Sequence, residues 1–228
     1  MEHRVFKDIG YTLKRSNRKT MSIYVDVDNS ITVHAPIQMP IDKLEQIIDG
    51  KRFWIHKSIT ELNELNESRL NRSYVNGEGF LYLGRSYRLK LGENLQRPLT
   101  LFQGYFYLDE SRVNSAQQYF IRFYKEKGNV WIPKRTKYFS EIMGIHHKQI
   151  RILELKKRWA SRSEKSLNFH WKLMMAPLRI IDYVIVHELA HYLQPDHSIE
   201  FWSQVETILP EYHRGKDWLK KNGASLDI

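Results

Sequence analysis

The chain has 228 residues, 42% of them hydrophobic, which is enough for one large domain or two small ones with a substantial core. It contains no cysteine. That excludes a disulfide framework and a thiolate metal site, so any transition metal must be held by histidine and carboxylate. The 36 Lys and Arg against 26 Asp and Glu leave a net charge of +10, a field that attracts nucleotides, acidic peptides or nucleic acid.

The opening residues, Met1 to Lys7, lack the apolar core of a signal peptide. No run approaches the ~18 apolar residues of a membrane helix. The expectation is a cytoplasmic protein with no membrane partner. The basic surface leaves weak nucleic-acid association open, although no recognised nucleic-acid motif accompanies it.

Residues 11–36 read as β-structure. Met21, Ile23, Val25 and Val27 alternate with Ser22, Tyr24 and Asp26, the period of a half-buried strand. Asp28, Asn29 and Ser30 mark a turn, Ile31 and Val33 resume the pattern, and Pro36 and Pro40 close the hairpin. Lys14, Arg15, Arg18 and Lys19 form a basic run that is either solvated or turned toward an anionic substrate. From 40 to 70 the spacing becomes helical. Ile41, Leu44, Ile47 and Ile48 make one face, and Gly50 is a candidate interruption. Ile55, Ile59, Leu62 and Leu65 make a second face with Trp54 at its edge. His56 reads as structural or exposed, and the polar stretch 63–76 closes the helical region.

Residues 79–84 and 87–91 predict a hairpin about Gly84, Arg85 and Ser86. Leu99, Leu101, Phe106 and Tyr107 predict another strand or pair around Gly104. A helix follows from Val113 to about Lys127, with Ala116, Phe120, Phe123 and Tyr124 on its apolar side. Gly128 is a candidate break. A further helix would begin at Trp131, Ile132 and Pro133 and end before Gly144. Residues 149–155 read as a strand, 158–165 as a turn, and 166–173 as the partner strand.

The stretch 182–198 organises the rest of the chain. It contains the pattern H-E-x-x-H at His187, Glu188 and His191. Residues four apart share one helical face, so His187 and His191 can offer two imidazole nitrogens to one ion. Glu188 is offset by one position and stays free to take a proton. Pro177 can open the helix, Ile180, Ile181, Val184, Ile185 and Leu189 supply a buried face, and Pro195 ends it. His197 follows the break, where a returning chain can reach the same ion. Catalytic zinc wants three protein ligands and one open position. The bland alternative is a buried helix whose histidines bond to nearby backbone. Beyond it, Ser198 is a plausible N-cap, Phe201, Trp202, Val205 and Ile208 form the core face of another helix, and Pro210 ends that helix. Residues 212–219 make a last helical turn or two.

Residues 181–191, with Asp196, His197 and Ser198 and then Phe201 and Trp202 after them, resemble the YgjP-like metal-dependent hydrolase family, a relative of the SprT-like and WLM zinc peptidases. Arg158, Trp159, Ala160 and Ser161 resemble its R-W-G-S motif, and residues 11–20 resemble its N-terminal strand. The likeness covers most of the chain. Ala160 replaces the usual Gly, and Asp196 replaces the usual Asn before the third histidine; neither change removes a ligand. The resemblance implies a metal-dependent hydrolase, foremost a metallopeptidase, with one Zn²⁺ per chain. The expected fold class is α+β. An N-terminal β-rich region with helices would span 1–110. A C-terminal zincin-like metallohydrolase domain would span 111–228, with its H-E-x-x-H helix packed on a small sheet whose edge can hold an extended peptide.

On this reading His187, His191 and His197 are the metal ligands and Glu188 is the general base for a zinc-activated water. Arg158 is the candidate helper at the developing oxyanion; its bland role is a salt bridge that holds the loop. Trp159 reads as a packing residue and Ser161 as a turn cap. His146, His147, His170 and His213 read as core or surface histidines. Asp182 either supports a ligating histidine or stabilises the helix N-terminus. Asp196 and Glu200 are also candidates to support a ligand, and Glu200 would substitute if His197 pointed away. The substrate is a peptide or a nucleotide. The rival functions are a nucleoside-triphosphate pyrophosphatase-type phosphohydrolase, a nucleic-acid-associated protease, and a zinc-stabilised binding protein. A glutamate beside the ligands argues against the last. Arg and Lys lining the metal cleft would favour the phosphohydrolase.

Overall fold

The computed structural model describes residues 2–26, 29–67, 72–147, 149–155, 158–163 and 166–228, with backbone alone for 61–62 and 64–67. The architecture is mixed α+β, as expected. Its contacts divide the chain into two compact units, Met1–Arg69 and Leu70–Ile228.

In the first unit, strands β1 (Glu2–Phe6), β2 (Ile9–Ser16), β3 (Ser22–Val25) and β4 (Ile31–Pro36) form one sheet in the order β1-β2-β4-β3. β2 and β4 run parallel. Helices α1 (Ile41–Gly50) and α2 (Arg52–Glu67) complete the unit. Alternation sends Tyr11 and Leu13 from β2 and Ile31, Val33 and Ala35 from β4 into a core that they share with Leu44, Ile48 and Ile55. The β3–β4 connection closes through the Asp26 N–H, which donates to the Ser30 carbonyl at 2.8 Å, with Asn29 at a left-handed φ of 62°. Val27 and Asp28 lie outside the described residues, as do the side chains of Leu62 and Leu65 and residues 68–71 of the polar stretch. The basic run is partly structural. Arg15 Nη1 donates to the carbonyls of Pro36, Ile37 and Met39 at 2.9, 3.0 and 2.8 Å, which ties down the chain entering α1. Arg18 donates to the Ser22 hydroxyl. His56 is half exposed and lies 2.7 Å from an Asp8 oxygen.

The second unit opens with β5 (Gly79–Tyr82), β6 (Arg85–Gly92), β7 (Leu99–Phe102) and β8 (Tyr105–Asp109), in the order β5-β6-β8-β7. Both predicted hairpins are present. Their tight turns place Leu83 and Gly84, and Gln103 and Gly104, at positive φ, the conformation two-residue hairpins require. The sequence suggests a boundary at 110, whereas the contacts divide the chain after Arg69. The cause is one shared core: Phe80 stacks on Phe120 at 4.2 Å, and Phe106 lies 5.1 Å from both Phe120 and Phe123.

The residues Phe120 and Phe123 belong to α3 (Ala116–Met143), a single helix of 28 residues. Neither candidate interruption breaks it. Gly128 is buried where an added Cβ would sit 3.1 Å from Ile152, so its role is close packing. Pro133 sits inside the helix. The end comes at Gly144, a left-handed C-cap with φ of 63°.

Next come β9 (Gln149–Leu153), β10 (Ala160–Arg162) and β11 (Ser166–His170), in the order β10-β11-β9. β9 and β11 pair as the sequence suggests, but in parallel. The segment expected to be a turn contains β10, which lies antiparallel on the other side of β11. Residues 164–165 lie outside the described residues. Helices α4 (Leu178–Ala190), α5 (Ile199–Ile208) and α6 (Tyr212–Asn222) follow. Among the described residues, no helix is long and apolar enough to cross a membrane.

Candidate metal centre

α4 begins immediately after Pro177, which occupies the N-cap. The β5–β6 turn braces that start: the Leu83 and Gly84 N–H groups donate to the Met174 and Met175 carbonyls at 2.8 and 3.0 Å. An added Cβ on Gly84 would meet Pro177 at 2.8 Å. Ile180, Ile181, Val184, Ile185 and Leu189 are buried, as their spacing predicts. This fixes the remaining face, on which His187 and His191 lie one turn apart. The helix ends at Ala190, and a tight turn with the Gln194 N–H donating to the Ala190 carbonyl redirects the chain. Ser198 then caps α5, its hydroxyl accepting from the Phe201 N–H at 3.3 Å.

That redirection carries His197 back over the helix. One ring nitrogen from each of His187, His191 and His197 lies within 4.8 Å of the others. The His187 and His197 Nε2 atoms are 3.0 Å apart. Two nitrogens each ~2.05 Å from a tetrahedral ion would be about 3.3 Å apart, so this spacing suits a shared ion. The His191 Nδ1 lies 3.2 Å from the Gln194 carbonyl. A carbonyl only accepts, so Nδ1 carries the hydrogen and Nε2 keeps its lone pair for a metal. The spacing of the three ring nitrogens, with the Nε2 lone pair of His191 left bare, therefore fits a divalent ion.

Aromatic walls surround the cluster. Phe201 lies 5.0, 4.5 and 4.8 Å from the rings of His187, His191 and His197. Trp202 stacks on His197 at 5.6 Å and on Tyr212 at 5.1 Å. Burial, assisted by the His191, His197 and Lys216 charges, drives the His187 pKa down to about 3. Burial also lowers that of His191. Neutral imidazole is the form that ligates a metal.

Glu188 is buried, and that burial raises its pKa to about 7, with the Arg162 charge and then the Arg158 charge pulling the other way. Arg158 is exposed just ahead of β10. Arg162, which no sequence motif marks, is better anchored. Its Nη1 donates to the His191 carbonyl at 2.6 Å, and its guanidinium lies 5.2 Å from the Tyr192 ring. Lys216 is equally silent in the sequence. Its Nζ stands 4.3 Å above the Trp202 ring. Only the folded contacts of β10 with α4, and of α6 with α4 and α5, bring these two residues to the cluster.

The remaining candidates fall away from the three histidines. Among the described residues Asp182 bonds to none of the three histidines; its carboxylate accepts two hydrogen bonds from Arg135 of α3, at 2.8 and 2.7 Å. Glu200 is exposed in the first turn of α5, where its own backbone N–H and the Ser198 hydroxyl hold its pKa down. Asp196 is exposed. Trp159 packs beside Gly223 and 6.0 Å from His170. Ser161 lies within β10 instead of capping a turn, accepting from Asn168 at 3.4 Å. Ala160 is buried opposite Phe169, and its methyl is accommodated there. His146, His170 and His213 lie outside the cluster.

The family model of the YgjP-like metallopeptidase domain matches residues 19–222. The chain belongs to the YgjP-like metallopeptidase family. Membership makes this a metal-dependent peptidase at family level and implies a metal, which the three histidines of this YgjP-like chain could bind. No curated protein matches the chain. Among solved structures, the crystal structure of the metallopeptidase zymogen of Pyrococcus abyssi abylysin is similar at 23% identity and a TM-score of 0.36. That match covers 39% of this chain and 90% of the other.

Proposed function

We propose that the protein is a zinc-dependent metallopeptidase of the zincin type, with His187, His191 and His197 as ligands of one Zn²⁺ and Glu188 as general base. The observation that carries this reading is the convergence of three imidazole nitrogens beside a buried carboxylate one residue along the same helix. Zinc held by these three histidines would supply an acidified water as the nucleophile.

Glu188 receives the proton from the attacking water and passes it to the departing amine. Burial raises the proton affinity of this carboxylate, which suits it to accept the proton. The guanidinium of Arg158 offers N–H donors to the oxygen on which negative charge develops. Edge strand β10, lying beside α4, is placed to align an extended peptide.

The test measures zinc content and peptide hydrolysis together, in wild type and in Glu188→Gln. About one zinc per chain and peptide cleavage that the variant abolishes would support the reading. A chain that binds no metal and cleaves nothing would remove it. The nucleotide phosphohydrolase keeps a place as second reading, because cations do flank the histidine cluster. Phosphate or pyrophosphate release from a nucleoside triphosphate, with the same dependence on Glu188, would favour it.

A further inference from the structure

Two cations stand near the histidine cluster, each fixed by a contact that leaves its charge available. Arg162 reaches from β10, and its Nη1 is committed to the His191 carbonyl. Its other N–H groups have no hydrogen-bond partner among the described residues, and the side chain is exposed. Lys216 reaches from α6 and rests over Trp202, the ring that stacks on His197. Neither cation forms an ion pair among the described residues, although Arg135, Lys172 and Arg214 of the same unit all do. A cation held in place with no ion pair among the described residues, beside a site that admits substrate, is available to an anion carried by that substrate.

We infer that Arg162 and Lys216 are specificity-determining cations that select substrates presenting an anionic group, carboxylate or phosphate, next to the bond cleaved at the histidine cluster. This rests on the reading of the cluster as the reactive centre, and it adds what that centre accepts. In a peptide the group is an Asp or Glu side chain, or a terminal carboxylate, flanking the scissile bond. In a nucleotide it is a neighbouring phosphate. Arg162 presents a planar fork that suits a bidentate oxyanion, and Lys216 presents a point charge. Neither is asked to transfer a proton, so their contribution appears in discrimination between substrates.

The experiment measures binding separately from turnover. Zinc-loaded Glu188→Gln protein is titrated with fluorescent peptides in isosteric Glu/Gln and Asp/Asn pairs, and in parallel with a nucleoside triphosphate and its parent nucleoside. The anionic member of a pair is expected to bind about tenfold tighter, with the difference shrinking as salt rises. Lys216→Met should cut that ratio several-fold, and Lys216→Glu should turn it toward Lys-containing peptides. Arg162→Lys keeps a donor for the His191 carbonyl while losing the fork, so it should weaken the preference with zinc content retained. Circular dichroism and zinc content of each variant separate lost selection from lost folding. Equal affinities within every pair, or ratios unchanged in the Lys216 variants, would overturn the inference. A wild type that binds anionic peptides selectively but cleaves none would remove the peptidase reading and leave the selection standing. The nucleotide arm then decides whether phosphate is the preferred anion.

Discussion

Arg135 of α3 forks onto Asp182 of α4, with Nε donating to Oδ1 at 2.8 Å and Nη2 to Oδ2 at 2.7 Å. The bond ties the helix that carries the histidines to the longest helix of the unit. Arg135 also lies 5.0 Å from the rings of both Tyr138 and Phe139. The pair is only partly exposed, and its geometry is bidentate, so breaking it should cost more than a surface ion pair. Asp182→Asn is expected to destabilise by about 1–3 kcal/mol. Thermal unfolding of Asp182→Asn, Arg135→Met and the double variant checks this. Coupling is expected, with the double variant costing less than the two single changes together. Zinc affinity should not move. A tenfold loss of zinc affinity in Asp182→Asn would mean that the carboxylate acts on a ligand after all.

Glu188→Gln should separate metal binding from chemistry. The amide keeps the size of the side chain and cannot take a proton. Hydrolysis is expected to fall by about 10²–10⁴ with zinc content unchanged. His197→Ala should lose zinc, because in the proposed site its removal leaves only His187 and His191, one helical turn apart. Metal analysis after dialysis, run beside the activity assay, reads both. Zinc lost from Glu188→Gln would make the carboxylate a ligand and overturn its role as base.

Gly215 gives a test in which two effects have opposite signs. It lies inside α6, where alanine is intrinsically better by about 1 kcal/mol. An added Cβ there would stand 2.8 Å from Cγ and 2.9 Å from Cβ of Tyr183 on α4. The clash involves the root of a buried ring, which cannot swing aside. Overpacking of about 1–3 kcal/mol should win, so Gly215→Ala lowers the melting temperature. Gly50, in the last turn of α1 with nothing within 4 Å of an added methyl, is the control. Gly50→Ala should leave stability equal or slightly higher. A Gly215→Ala protein more stable than wild type would show that α6 moves away from α4 at little cost.

How much of the structure is legible in the chain depends on whether the information is local. The start of α4 at Pro177, its buried face, the turn toward Pro195 and the Ser198 cap all follow from spacing and capping chemistry, and they bring the three histidines together. The hairpins at Gly84 and Gly104 are legible because tight turns demand positive φ. Gly128 and Pro133 mislead because packing overrides local propensity: Gly128 is where Ile152 needs room, and a long helix tolerates the proline within it. β10 hides in an apparent turn because three residues carry too little periodicity to announce a strand. The parallel pairing of β9 with β11, and the placing of Arg162 and Lys216 at the cluster, are tertiary facts with no local signature.

His170 supplies the pH dependence. It is buried beside Trp159 and Trp171, and its Nδ1 accepts from the Lys172 N–H at 3.1 Å. Burial, with the Lys172 charge adding to it and Glu154 opposing, lowers its pKa from 6.5 to about 4. The unfolded chain therefore takes up this proton near pH 6.5, and the folded chain only near pH 4. Between these values the unfolded state binds more protons, so stability falls as pH falls, by up to about 3 kcal/mol from this group. Above about pH 6.5 both states are neutral here and the contribution is flat. Urea unfolding of the zinc-free protein at about pH 7.5 and at about pH 4.5, on either side of that window, measures the total loss. The half-buried His187, whose pKa is also lowered, contributes to that total as well. The difference between wild type and His170→Asn isolates this residue, since the Asn oxygen can still accept from the Lys172 N–H. The variant is expected to lose less stability on acidification than the wild type. Identical losses in the two proteins would show that His170 is protonated in the fold without penalty, and that the acid sensitivity lies elsewhere.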